Sequence, residues 1–318
     1  MVAERFFRGV STWLMDRLTM KTGFQRGTLW TRVVETQQRA IDQAALRPIP
    51  TSFEILQDGL VSFLIRVVQH LADKPLGSPG TVIQTPHDNP FLPYDPALFV
   101  ADAGARHVCL LNKFNVVDHH LLIVTRDFVH QDVALNPEDF SVWWRCLVEY
   151  ESLGFYNGGV RAGASQPHRH LQLIPLPLHD SGPRVPIEPI LDLDCPRPRF
   201  SASDDRVPFD HALVRVPSGD DGGSQQMGND LHRLYVELLD LTGIAATRQP
   251  DGRLGGAYNL LLTRQWMLLV PRRVEHFAGI SLNAMAFAGT FLARDYEQRE
   301  MLRRQGPMAA LSFVAGNS

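Results

Sequence analysis

Asn157-Gly158-Gly159-Val160-Arg161-Ala162-Gly163-Ala164-Ser165-Gln166-Pro167-His168-Arg169-His170-Leu171-Gln172 is the stretch on which the reading of this chain turns. A strand that continues it through Leu171 to Ile174 points His168, His170 and Gln172 to one face, because strand side chains alternate with period two. Two imidazoles and an amide then stand beside a glycine-rich loop, where backbone N–H groups can approach an anion closely. The His-x-His spacing alone is more common in a metal-ligand pair or a surface pair. The company of Ser165, Gln166, Gln172 and the upstream glycines favours catalysis. A histidine so placed can attack phosphorus, and a glutamine two residues on can hold a phosphate oxygen without activating water. The run reads as a nucleotidyl-transfer site.

The surrounding pattern makes the motif strand part of an antiparallel sheet. Val108 to Leu111 and Leu121 to Thr125 are apolar runs joined by Asn112 to His120, and they predict neighbouring antiparallel strands. Asn136 caps a helix that begins at Pro137 and runs to about Tyr150, with acidic residues complementing its first turn. The motif strand follows, giving strand, strand, helix, strand, which is an α+β order. Upstream, residues 1 to about 50 read as mostly helical, with the stronger pattern over Thr28 to Ala45. Phe63 to Val68 reads as a strand and Pro75 to Pro96 as loop. Seven of the 22 prolines lie between Pro175 and Pro198, too many for a regular element. Beyond them, Phe209 to Val216 predicts a strand, Pro217 to Gly228 a loop and Asn229 to Ala246 a helix. Ala257 to Thr263 and Trp266 to Val270 form a hairpin around Arg264-Gln265. The C-terminal part is again α+β.

Composition narrows the function. The 318 residues are 44% hydrophobic and 20% charged, with ample core for one large or two ordinary domains. A net charge of −3 gives no global basic field, so nucleic acid is not the expected partner. Met1 to Leu18 is broken by charges and does not read as a secretory signal, and no segment approaches the ~20 apolar residues of a membrane span. No membrane partner is expected, and the cytosol is the expected location. Cys109, Cys146 and Cys195 are too widely spaced to form a zinc knuckle, and the first two read as buried thiols.

Gly163-Ala164-Ser165-Gln166-x-His168-x-His170-x-Gln172 resembles the active-site signature of the diadenosine tetraphosphate phosphorylases, or ATP adenylyltransferases, of the histidine-triad superfamily. Other segments resemble the family in order: Phe63 to Arg66, Leu71 to Pro75, Asn89 to Pro93, Leu111 to Val117, Tyr258 to Thr263 with Trp266, Val270 to Arg272, and Leu282 to Gly289. The resemblance spans about residues 30 to 315. It implies a histidine-triad-like antiparallel sheet with flanking helices over residues 1–180. A proline-rich connection over 181–205 and a C-terminal ATP adenylyltransferase part over 206–315 complete the expected layout.

The reaction implied is phosphorolysis of diadenosine tetraphosphate (Ap4A) to ATP and ADP, and its reverse. The resemblance makes His170 the nucleophile and gives the His168 carbonyl the task of orienting its ring. Gln172 stands where hydrolytic relatives carry a third histidine. It also implies substrate contacts from Lys74, Asn112, Lys113, Asn157, Gly163, Ala164, Ser165, Gln166, Asn283, Ala284 and Met285. Thr290 and Arg294 fall at the spacing of two more, Thr290 departing in residue type. Mg²⁺ is expected on the nucleotide phosphates, since no carboxylate cluster marks a dedicated site. The alternatives are a dinucleoside polyphosphate hydrolase, disfavoured by Gln172, and a nucleotide sensor without turnover.

Overall fold

In the computed structural model, which describes residues 23–69, 89–218 and 225–316, the motif strand lies in the middle of a nine-stranded sheet. The N-terminal half supplies α1 (Leu29–Asp42), β1 (Thr51–Asp58), β2 (Val61–Val68), β3 (Phe99–Asp102), β4 (His107–Leu111) and β5 (Leu121–Thr125). Then come α2 (Pro137–Leu147), β6 (Ser152–Gly158), β7 (His170–Pro175) and β8 (Arg199–Ser201). The C-terminal half adds β9 (His211–Arg215), α3 (Gln225–Leu241), β10 (Ala257–Leu262), β11 (Trp266–Arg272) and the short pair β12 (His276–Phe277) and β13 (Ile280–Ser281). It ends with α4 (Ala284–Phe287), β14 (Thr290–Ala293), α5 (Tyr296–Gln305) and α6 (Pro307–Ala315).

The large sheet runs β3-β4-β5-β7-β6-β10-β11-β9-β8 and is antiparallel throughout. Strands from both halves of the chain therefore share one sheet, joined where β6 pairs with β10. A second sheet, β1-β2-β14, pairs β2 with β14 in parallel. The fold is α+β, as the sequence implies.

Period-two alternation divides the large sheet into two unlike faces. Leu171 and Leu173 of β7, Tyr156 of β6 and Leu260 and Leu262 of β10 pack into a core with α1, α2 and α3. The alternate residues face the other way. There Phe155, Ile174, Leu261, Leu268 and Val270 meet Phe63 and Ile65 of β2, Phe291 of β14 and the C-terminal helices. A separate apolar patch, Val108, Leu110, Leu122 and Val124 under Phe91, occupies the β3-β4-β5 end of this face. Between these two patches sit the polar residues of the motif.

Helix α2 starts as its sequence dictates. Asn136 accepts from the Glu138 and Asp139 N–H groups, and the Asp139 carboxylate accepts in return from the Asn136 N–H at 2.8 Å. The buried Asp139 also binds His107 at 2.8 Å and Arg169 at 2.7 Å. Arg169, between the two motif histidines, thus faces the helical side and ties the motif strand to the α2 cap.

Several boundaries differ from expectation. Residues 51–58, to which the sequence reading assigns no element, form β1; its Phe53 and Ile55 alternate on one face and remain exposed. Helix α3 begins at Gln225 and includes Gly228, which the sequence reading places in a loop. A Cβ on Gly228 would lie 1.9 Å from the Ser141 Oγ, so this glycine permits α3 to cross α2 closely. The proline-rich stretch after β7 is irregular, as its prolines require. It is nonetheless packed, with Val185, Ile187, Ile190 and Leu191 buried in the second core. Among the described residues no helix is long and apolar enough to cross a membrane.

Candidate active site

A cavity of about 920 Å³ opens between the large sheet and β2, β14 and α4. Its wall includes His170 and Gln172 from β7, Asn157 from β6, Asn112 and Lys113 after β4, and Gly163, Ser165 and Gln166 from the loop before β7. Asn283, Met285, Thr290 and Arg294 close it from the C-terminal half. The structure thus gathers twelve of the expected residues around one space. Ala164 and Ala284 lie beside it without lining it. Ala284 is fully buried and donates its N–H to the Asn157 Oδ1 at 2.9 Å. Lys74 lies outside the described residues.

His170 is held through its ring and its backbone. Its Nδ1–H donates to the His168 carbonyl at 2.8 Å, which leaves the Nε2 lone pair for the cavity. Its backbone N–H donates to the Gln131 Oε1 at 2.9 Å, and Gln131 in turn donates to the Asn157 carbonyl at 3.0 Å. Burial pushes the His170 pKa down to about 4, because water no longer solvates the imidazolium. The ring is therefore neutral and unprotonated at Nε2 at neutral pH.

His168 does not line the cavity, and its side chain is occupied elsewhere. The strand begins only at His170; His168 precedes it in an isolated bridge to His130. Its Nε2–H donates to the Thr125 carbonyl at 2.8 Å, and its Nδ1 accepts from the Asn89 amide at 2.9 Å. Phe91 packs against both histidine rings, each centroid 5.6 Å away. His168 serves the site through its carbonyl.

Asn157 is held by a buried polar chain that the sequence reading missed. Arg272 donates to the Asn259 Oδ1 at 2.6 Å and to the Leu282 carbonyl at 2.8 Å. Asn259 donates to the Asn157 Oδ1 at 2.9 Å, the same oxygen that receives the Ala284 N–H. The two asparagines stand opposite one another in the β6–β10 register. Strand registers, not sequence distances, bring them together. Burial lowers the Arg272 pKa to about 9, with Glu275 partly offsetting the shift. The chain fixes Asn157 and the start of α4 relative to the large sheet.

The charges on its wall suit the cavity to an anion. Arg66, Lys113 and Arg294 line it, against one carboxylate, Asp95, which stands 3.9 Å from the Lys113 Nζ. Arg66 was absent from the expected contacts; it lines the cavity with Val68, while Phe63 and Ile65 enter the core. The Gln166 Oε1 and Thr290 Oγ1 are buried without a hydrogen-bond partner in the protein. Gly163 adopts φ +82°, and a Cβ there would lie 2.8 Å from that of Asn283, so the loop can close on the C-terminal half only with glycine. Among the described residues no cluster of three His, Cys, Asp or Glu side chains could hold a metal ion.

Known proteins resemble this chain along most of its length. Residues 19–193 match the model of the Ap4A phosphorylase N-terminal domain, and residues 205–316 that of the ATP adenylyltransferase C-terminal domain. Diadenosine 5',5'''-P1,P4-tetraphosphate phosphorylase 2 of Saccharomyces cerevisiae is 31% identical over 240 residues, covering 68% of this chain and 71% of the relative. Protein APA1 of the same yeast is 27% identical over 83% of this chain and 86% of its own length. The crystal structure of yeast Ap4A phosphorylase Apa2 in complex with Ap4A superposes with a TM-score of 0.72 at 25% identity, over 91% of this chain and 98% of that one. The AMP complex of the same enzyme has a TM-score of 0.71.

Proposed function

This chain belongs to the Ap4A phosphorylase family of ATP adenylyltransferases, and from that premise we propose that it cleaves Ap4A with phosphate through an adenylyl group carried on His170. The carrying observation is the His168 carbonyl on the His170 Nδ1–H at 2.8 Å, which commits the proton to one nitrogen and aims the other at the cavity. The His170 Nε2 attacks the α-phosphorus of one adenosine. The new N–P bond forms as the bridging P–O bond breaks, and ATP leaves. A phosphate oxygen then attacks the same phosphorus, the N–P bond breaks, and ADP departs. ATP needs no general acid to leave, because its terminal phosphate is already a stable anion at neutral pH.

The other residues bind and orient. Ser165 and Gln166 with the Gly163 backbone hold the transferred phosphate, Arg66, Lys113 and Arg294 balance the polyphosphate charge, and the α4 start closes on the nucleotide. A divalent cation such as Mg²⁺ enters as part of the nucleotide substrate, since Asp95 is the one carboxylate on the described wall. We place the reaction in the cytoplasm, where its nucleotides and phosphate are available. The buried Cys109 and Cys146 thiols, 3.7 Å apart, accord with a reducing compartment.

Product analysis tests the reading. With Ap4A and phosphate the expected products are ATP and ADP in equal amounts. Without phosphate, release should stop after one equivalent of ATP. Steady formation of AMP, insensitive to phosphate, would make the enzyme a hydrolase.

A further inference from the structure

We propose that His120 is a positioning residue that fixes which end of the Gln172 amide faces the transferred phosphate, and thereby favours phosphate over water as acceptor. The functional consequence rests on the adenylyl-transfer reading above; the arrangement itself rests on four hydrogen-bonding groups in series.

The series starts at the backbone. The Phe114 N–H donates to the Asn112 Oδ1 at 3.1 Å, so the Asn112 carbonyl oxygen points toward residue 114 and its NH2 points away. That NH2 meets the His120 Nδ1 at 3.2 Å and can only donate, so this nitrogen carries the lone pair. The proton of the neutral ring is then on Nε2, which donates to the Gln172 Oε1 at 3.0 Å. With its oxygen engaged, Gln172 presents its NH2 to the cavity that both it and His120 line. Burial lowers the His120 pKa to about 4, so the ring stays neutral and keeps one donor and one acceptor. Phe155 packs on the ring at 5.5 Å and holds its plane.

The consequence lies at the phosphorus. An NH2 group donates to a non-bridging oxygen and strengthens as charge gathers there in the transition state. It offers no acceptor to an approaching water. A reversed amide would do the opposite, placing an oxygen where it repels the phosphate and can orient water. His120 and His170 therefore carry opposite tautomers, Nε2–H in the first and Nδ1–H in the second, each set by a different neighbour.

Nitrogen-15 NMR of the full chain with labelled histidine reads the tautomers directly. The expected result is a protonated Nε2 on His120; a protonated Nδ1 overturns the proposal, whatever the enzyme's products. His120→Leu should lower kcat about tenfold with KM little changed, and raise the AMP to ADP ratio at fixed phosphate. In a Gln172→Leu background the same change should alter kcat by less than about twofold, because a residue acting through Gln172 has nothing left to act on. Equal losses in both backgrounds would mean a merely structural role. Should His120→Leu not fold, two gentler variants decide. His120→Gln keeps a donor for Gln172 and should stay within about threefold of the parent, while Asn112→Asp turns the donor to Nδ1 into an acceptor and should invert the tautomer and raise AMP. Asn112→Asp that leaves tautomer and product ratio unchanged overturns the proposal. A wild-type enzyme that forms no adenylyl intermediate removes the transfer reading instead, and the tautomer measurement still decides the relay.

Discussion

At the scale of single residues, the motif separates two histidines that look alike in sequence. His170 has its Nε2 free toward the cavity, and His168 has both ring nitrogens occupied. His170→Ala should abolish turnover, by at least about 10⁴-fold in kcat, while nucleotide binding stays measurable by calorimetry. His168→Ala should cost far less, since its carbonyl survives; equal loss in both would return the pair to a shared metal or a common structural role. The pH dependence follows from burial. Adenylyl-enzyme formation needs neutral His170, whose pKa is pushed down to about 4 from 6.5. Its rate should therefore hold as pH falls through 6.5 and decline only near 4, read in single-turnover ATP release. An acid limb centred at 6.5 in single-turnover ATP release would contradict this. Gln172→His should raise the AMP to ADP ratio, because imidazole exchanges protons where an amide cannot. An unchanged ratio would show that Gln172 does not govern the acceptor.

At the scale of elements, packing of α2 and α3 and anchoring of α4 decide whether the site assembles. Gly228 brings α3 against Ser141 of α2. Gly228→Ala should destabilise the protein by about 1–3 kcal/mol through overpacking, even though alanine favours helix. A rise in urea midpoint would refute that close approach. Arg272 is the corresponding device on the other face. Arg272→Met leaves Asn259 and the Leu282, Val274 and Glu275 carbonyls without their shared donor. Each stranded buried group costs about 1–3 kcal/mol, so the variant should melt earlier and lose nucleotide affinity together, through α4. Weakened binding with unchanged melting would instead make Arg272 a ligand contact.

At the scale of the whole molecule, acid should unfold the protein by way of its buried histidines. His120 and His170 have folded-state pKa values near 4 against 6.5 for the free side chain. The unfolded chain therefore binds more protons below 6.5, and the stability that their neutral burial contributes is complete above that value. It should drain away as pH falls from 6.5 to about 4. Asp139, held below the usual carboxylate range by His107 and Arg169, adds a further loss at lower pH. The expected observation is a melting temperature level above pH 7 and falling steadily below 6.5. A flat profile from 7 to 4.5 would mean that water reaches both rings.

The sequence by itself determined the local events, because each depends on neighbours within a few residues. Asn136 and Pro137 start a helix through their own backbone chemistry, the Ala257–Leu262 and Trp266–Arg272 strands turn at Arg264-Gln265, and alternation sends Leu171 inward where His170 and Gln172 face out. The His-x-His-x-Gln pattern was legible for the same reason, whereas Asn112, Lys113, Asn283, Met285, Thr290 and Arg294 were expected on the wall only through the resemblance to the family. Tertiary structure alone decided what depends on register between distant strands. His120 reaches Gln172 because β5 pairs with β7, and Asn259 reaches Asn157 because β6 pairs with β10. A His119-His120 pair at the end of a loop gives no hint of that pairing. Nor does Arg272, a charged residue in an apolar strand, announce that four backbone and side-chain oxygens surround it. The chain encodes which groups can donate and accept; only the folded sheet decides which of them meet.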